Sequence, residues 1–130
     1  MNITERFLNY TKFDTQSNED STSVPSTEKQ LVFANYLKEE LVREGLTDVE
    51  MDDKGYVYAT LKGNTKKHVP TIGFISHYDT SPDCSGKDVK ARIVENYQGG
   101  DIELSPGIVS SPRKFPELSV HIGEDLIVTD

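Results

Sequence analysis

Two side chains in the stretch TIGFISHYDTSPDCSGKDV, residues 71–89, could do chemistry: His77 and Asp79. An imidazole at the end of a strand can ligate a metal, and a carboxylate two residues on points to the same side of an extended chain. Asp79 could therefore orient the ring or steady the metal through a contact behind it. The same residues also read as an ordinary polar turn after a strand. Cys84 offers a second arrangement, a Cys–His nucleophilic pair, for which no orienting third group is evident. His68 falls in a lysine-rich loop and His121 in a late polar segment, so both are expected on the surface. Asp14, Asp20 and Asp83 suit turns and caps better than acid–base work. A catalytic zinc needs about three protein ligands. His77 with Asp79 as companion is thus an incomplete site on residues alone.

These groups must be held by the elements around them. In TIGFIS an unalternating apolar run is followed by polar residues, which predicts a strand buried on both faces at the centre of an α/β sheet. Ligands gather beyond the carboxyl ends of such strands, where His77 and Asp79 would lie. Upstream, Leu31, Ala34, Leu37 and Leu41 recur at helical spacing, with Lys38, Glu39, Glu40, Arg43 and Glu44 on the other side. Thr27 and Gln30 have capping-box spacing, and Gly45 supplies the stop. Ile3, Phe7, Leu8 and Tyr10 predict a short amphipathic helix near the start. Val49 and Met51 alternate with acids before the turn Asp53-Lys54-Gly55, and Tyr56 to Leu61 are strand formers, so a hairpin is expected. Beyond residue 90, glycines and prolines signal loops, with a short strand at Ile102 to Leu104 and a closing strand in EDLIVTD. Helix, hairpin, buried strand and later strand together predict a layered α/β domain.

Composition narrows the partners. At 130 residues and a formal charge of −8, the chain has room for one modest core and is a poor match for nucleic acid or an anionic membrane. A single cysteine precludes an internal disulfide. No secretory signal and no membrane span are expected from the opening MNITERFLNYTKF or from any apolar window, so a cytoplasmic soluble protein is the default.

The run GFISHYDTSPDCSGKDV followed by IVENYQGGDI resembles the peptidase T family of bacterial tripeptide aminopeptidases. That family belongs to the two-zinc exopeptidases and deacylases, which include carboxypeptidase G and acetylornithine deacetylase. The segments ERFLNYTKFDTQS, VPSTEKQ and FPELSVHIGEDLIVTD are similar as well, so the likeness runs from end to end. It implies a layered α/β/α zinc-exopeptidase catalytic domain with a central mixed sheet, of which residues 1–130 form the N-terminal portion. The dimerisation domain and the rest of the catalytic domain would lie outside it. His77 would be a ligand of one of two zinc ions, and Asp79 the catalytic-support carboxylate. The bridging aspartate of a Gly-Ala-Asp-Asp-type segment would follow just past Asp130, and two acidic ligands, a second histidine and a glutamate base would come later still. The implied activity is metal-dependent release of the N-terminal residue from tripeptides, in a cytoplasmic homodimer. The isolated piece is expected to be inactive, to expose sheet edges and a half-core, and to be poorly stable or self-associating. A dipeptidase or N-acyl amino-acid deacylase of the same group, or a non-catalytic α/β module, are the alternatives.

Overall fold

A computed structural model describes all 130 residues, Met1–Asp130. In chain order the elements are α1 (Ile3–Tyr10), α2 (Lys29–Arg43), β1 (Thr47–Met51), β2 (Val57–Thr60), β3 (Arg92–Val94), β4 (Ile102–Ser105), β5 (Ile108–Ser110), a 3-10 segment (Pro116–His121) and β6 (Leu126–Val128). The result is a small mixed helix–strand fold, consistent with the α/β class. No helix is long and apolar enough to cross a membrane. The chain divides into two compact units, Phe13–Lys87 and Met1–Lys12 with Asp88–Asp130.

The unit Phe13–Lys87 is built on α2. Its apolar stripe buries Phe33 and Ala34, and the helix packs on both β1 and β2. The Phe13 ring lies 4.8 Å from those of Phe33 and Tyr36, and Arg43 sits over the outer face of Tyr36. The helix ends as its sequence foretells: Gly45 takes φ +82°, its N–H donates to the Val42 carbonyl, and the Leu46 N–H donates to Leu41. Its start departs from expectation. The Thr27–Gln30 capping box does not form, because both side chains are drawn to the preceding loop. Thr27 Oγ1 donates to the Gln16 carbonyl at 2.9 Å. The buried Gln30 amide donates to the Thr15 carbonyl and to Ser26 Oγ. A buried amide without partners would cost more than a cap gives, so the loop contacts win.

β1 and β2 pair antiparallel, as the alternation predicts, with a bulge near Asp48. In the turn, Asp52 Oδ1 accepts from the N–H groups of Lys54 and Tyr56, and Gly55 closes it at φ +85°. That conformation costs glycine nothing and a residue with a Cβ about 1 kcal/mol or more.

The other unit carries two further antiparallel pairs, β3 with β6 and β4 with β5. Both the strand expected near Ile102 and the closing strand are therefore present. Tyr97 and Ile102 form its buried centre. The Tyr97 backbone exchanges hydrogen bonds with Gly123 and Glu124. In α1, the capping box absent from α2 is found between Asn2 and Glu5.

One sequence expectation fails outright. Residues 71–76 form no strand and have no ladder partner. Ile72, Phe74 and Ile75 are exposed, Ile75 completely. An apolar run becomes a central strand only when strands flank both its edges and layers cover both its faces. In the unit that holds the run, β1 and β2 pair only with each other, and no strand flanks the run on either edge.

Candidate functional site

The site is built where the extended run 71–79 meets α2 and the β1–β2 turn. Four consecutive residues there alternate in role. Tyr78 turns inward: its hydroxyl donates to the Gly55 carbonyl at 3.0 Å, and its ring meets Phe33 edge-on at 5.9 Å. Thr80 is held by its backbone: its N–H donates to the Thr15 carbonyl at 3.1 Å, and its carbonyl accepts from the Ser17 N–H at 2.9 Å. Ser17 Oγ donates to that same carbonyl. His77 and Asp79 occupy the intervening positions, and His77 Nδ1 lies 2.9 Å from Asp79 Oδ1. A carboxylate can only accept, so the bond is made when Nδ1 carries the proton, which leaves Nε2 as the ring's free lone pair. The His77 side chain is 84% exposed, so that nitrogen faces solvent. An open hollow of about 360 Å³ lies beside the pair, with Val24, Pro25, Tyr56 and Ile75 among its walls.

The environment bears on Tyr78 most. Burial pushes its hydroxyl above the usual phenol range, and the negative carboxylates of Asp79 and Asp52 push the same way. It therefore stays protonated and able to donate to Gly55. On the far side of Thr80, Gln16 Nε2 donates to the carbonyls of Pro82 and Cys84, at 3.0 and 2.9 Å. Asp14 pairs with Lys29 at 2.8 Å, and that contact holds its carboxyl below the ordinary range.

The remaining candidates fall away from the pair. Asp83 closes a turn with Ser81, and Asp14 caps the Gln16 N–H, both as turn residues should. Cys84 is exposed, and its contact with Gln16 is through the carbonyl rather than the thiol. His68 is exposed, as expected. His121 belongs to the other unit and is less solitary than its sequence suggests, because its Nδ1 lies 2.8 Å from Glu124 Oε2 at the end of the 3-10 segment. Sequence reasoning overlooked Tyr78, Gly55 and Gln16. Their contacts join residues far apart in the chain, so no local pattern carried a signal for them.

The pair suits one metal ligand and the carboxylate that orients it. No group of three or more His, Cys, Asp or Glu side chains among the described residues could hold a metal ion. The chain therefore does not provide a complete zinc site, and no chemical step follows from one here.

Comparison with known proteins gives the context for the pair. Peptidase T of Caldanaerobacter subterraneus subsp. tengcongensis is 55% identical over 130 residues, covering 98% of this chain and 32% of that protein. Peptidase T of Clostridium novyi matches at 55% and that of Clostridium acetobutylicum at 54%, with the same coverage. The chain resembles an N-terminal part of peptidase T. It spans about a third of the length of the curated peptidase T relatives it matches. No protein-family model matches it. At this identity, a likeness over 98% of the chain takes in the helix, the hairpin and the His77–Asp79 stretch together.

Proposed function

We propose that these residues supply the N-terminal portion of a layered α/β/α zinc-exopeptidase domain whose activity is release of the N-terminal residue from tripeptides. The peptidase T likeness supports the peptidase role. In this reading His77 is a ligand of one of two zinc ions through Nε2, and Asp79 fixes the ring from behind. The observation that carries it is the 2.9 Å His77–Asp79 contact with the opposite ring nitrogen turned to solvent. A carboxylate behind a ligating imidazole sets the tautomer and raises the basicity of the other nitrogen. The remaining ligands and the general base belong to parts of the longer enzyme, as would the contacts of a homodimer, and the setting is cytoplasmic. By itself the chain carries one ligand and is no hydrolase.

The test is direct. The purified chain, supplied with zinc or cobalt and a tripeptide, should release no N-terminal residue above the metal-only blank. Turnover that disappears with His77→Ala would show that these residues complete a site unaided, against this reading.

A further inference from the structure

We infer that Tyr78 is the positioning residue of the His77–Asp79 pair, acting through the Gly55 carbonyl and the Phe33 ring. The inference rests on the proposed role of that pair. His77 is exposed and Asp79 only half-buried, so their own burial does little to hold them together. A pair of solvated side chains of this kind gains little from its own contact. What fixes it is the backbone between and beyond them. In an extended stretch, alternate residues face opposite ways. Tyr78 is tied on one side by a hydrogen bond to the β1–β2 turn and by an edge-on ring contact with α2. Thr80 is tied to Thr15 and Ser17 by backbone bonds. With Tyr78 anchored inward and the Thr80 backbone pinned, His77 and Asp79 on either side of Tyr78 share the opposite side, where their side chains meet. Gly55 is shaped for this contact: a Cβ at that position would lie 2.7 Å from Tyr78 Oη and 3.0 Å from Leu31 Cδ2. The hairpin turn thus reaches the site through one aromatic side chain.

The experiment reads the His77 ring in the full 130-residue chain. Long-range proton–nitrogen correlation, at a pH about two units above the ordinary imidazole value of about 6.5, reports how much of the ring carries its proton on Nδ1. The wild type should hold mostly the Nδ1–H form, and Asp79→Asn should set the unpaired limit. Tyr78→Ala is expected to move His77 most of the way to that limit, and Tyr78→Phe, which keeps the ring and removes the hydroxyl, part of the way. Leu41→Ala, a change in α2 about two turns beyond Phe33, should leave the His77 signals in place. If Tyr78→Ala does not fold, Tyr78→Phe decides. Wild-type signals in the folded Tyr78 variants, or an equal shift in Leu41→Ala, would overturn the positioning role while leaving the pair intact. If Asp79→Asn itself changes nothing, the pair does not exist, and the proposed ligand role loses its support along with this one.

Discussion

Gly55→Ala should destabilise the unit Phe13–Lys87 well beyond what its backbone conformation alone costs. Gly45 provides the comparison within the same unit. Both glycines have positive φ, +85° and +82°, so an alanine at either carries a left-handed cost of about 1 kcal/mol. At Gly45 that is all, because nothing lies within 4 Å of an added Cβ. At Gly55 the Cβ would sit 2.7 Å from Tyr78 Oη and 3.0 Å from Leu31 Cδ2. The tyrosine must swing away and lose its hydrogen bond, worth about 1 kcal/mol. Its edge-on contact with Phe33 loosens too, at a cost of about 0.5–1 kcal/mol. Gly45→Ala is therefore expected to cost about 1 kcal/mol, and Gly55→Ala about 2–3 kcal/mol. Urea unfolding followed by circular dichroism measures both, with the slope checked for constancy. In a Tyr78→Phe background the Oη contact is gone, so the gap between the two substitutions should shrink to about half or less. Equal losses at Gly45 and Gly55, or a gap untouched by Tyr78→Phe, would refute the contact between the hairpin turn and the site.

Other outcomes follow from the same contacts. Lys29 depresses the Asp14 carboxyl, so the stability it lends is present above the ordinary carboxylate value and is lost as pH falls through the lower folded value. Between about pH 6 and about pH 2 the wild type should lose more stability than Asp14→Asn, as acid titrations of the two would record. Gln16→Ala removes both bonds that hold the carbonyls of Pro82 and Cys84, at about 1–2 kcal/mol, and trypsin should then cut faster at Lys87. Ile75→Ser should change stability by less than about 0.5 kcal/mol, since the side chain is fully exposed, whereas Phe33→Ala should cost about 3 kcal/mol or more. Thermal melts of these two variants test whether the 71–76 run lies outside the core.

How much of this was legible beforehand depends on how local the cause is. Helix α2 and its glycine stop follow from spacing and from one residue's conformational freedom, and both were readable. So was the β1–β2 hairpin, where Val49 and Met51 alternate and Asp53-Lys54-Gly55 carries turn chemistry. The His77–Asp79 pair could be foreseen because period two puts both on one side of an extended chain. Burial of 71–76 could not be read the same way. Apolar composition states a preference, but the partners that satisfy it come from elsewhere, and the strands of this chain pair among themselves. The capping box failed for a related reason: Thr27 and Gln30 found stronger partners in the loop at residues 15 and 16. The Tyr78–Gly55 contact joins residues 23 apart in sequence, and no local pattern announces it.

The central claim is that His77 is a metal ligand held by Asp79 in a peptidase T-like site. It is tested most directly by zinc content in a chimera, with this chain replacing the matching third of the Caldanaerobacter peptidase T. The chimera should cleave tripeptides and retain its zinc through dialysis. His77→Ala should lower the zinc retained per chain and abolish cleavage. Asp79→Asn should weaken zinc affinity by about 10–100-fold. Full zinc content and full activity in the His77→Ala chimera would contradict the account.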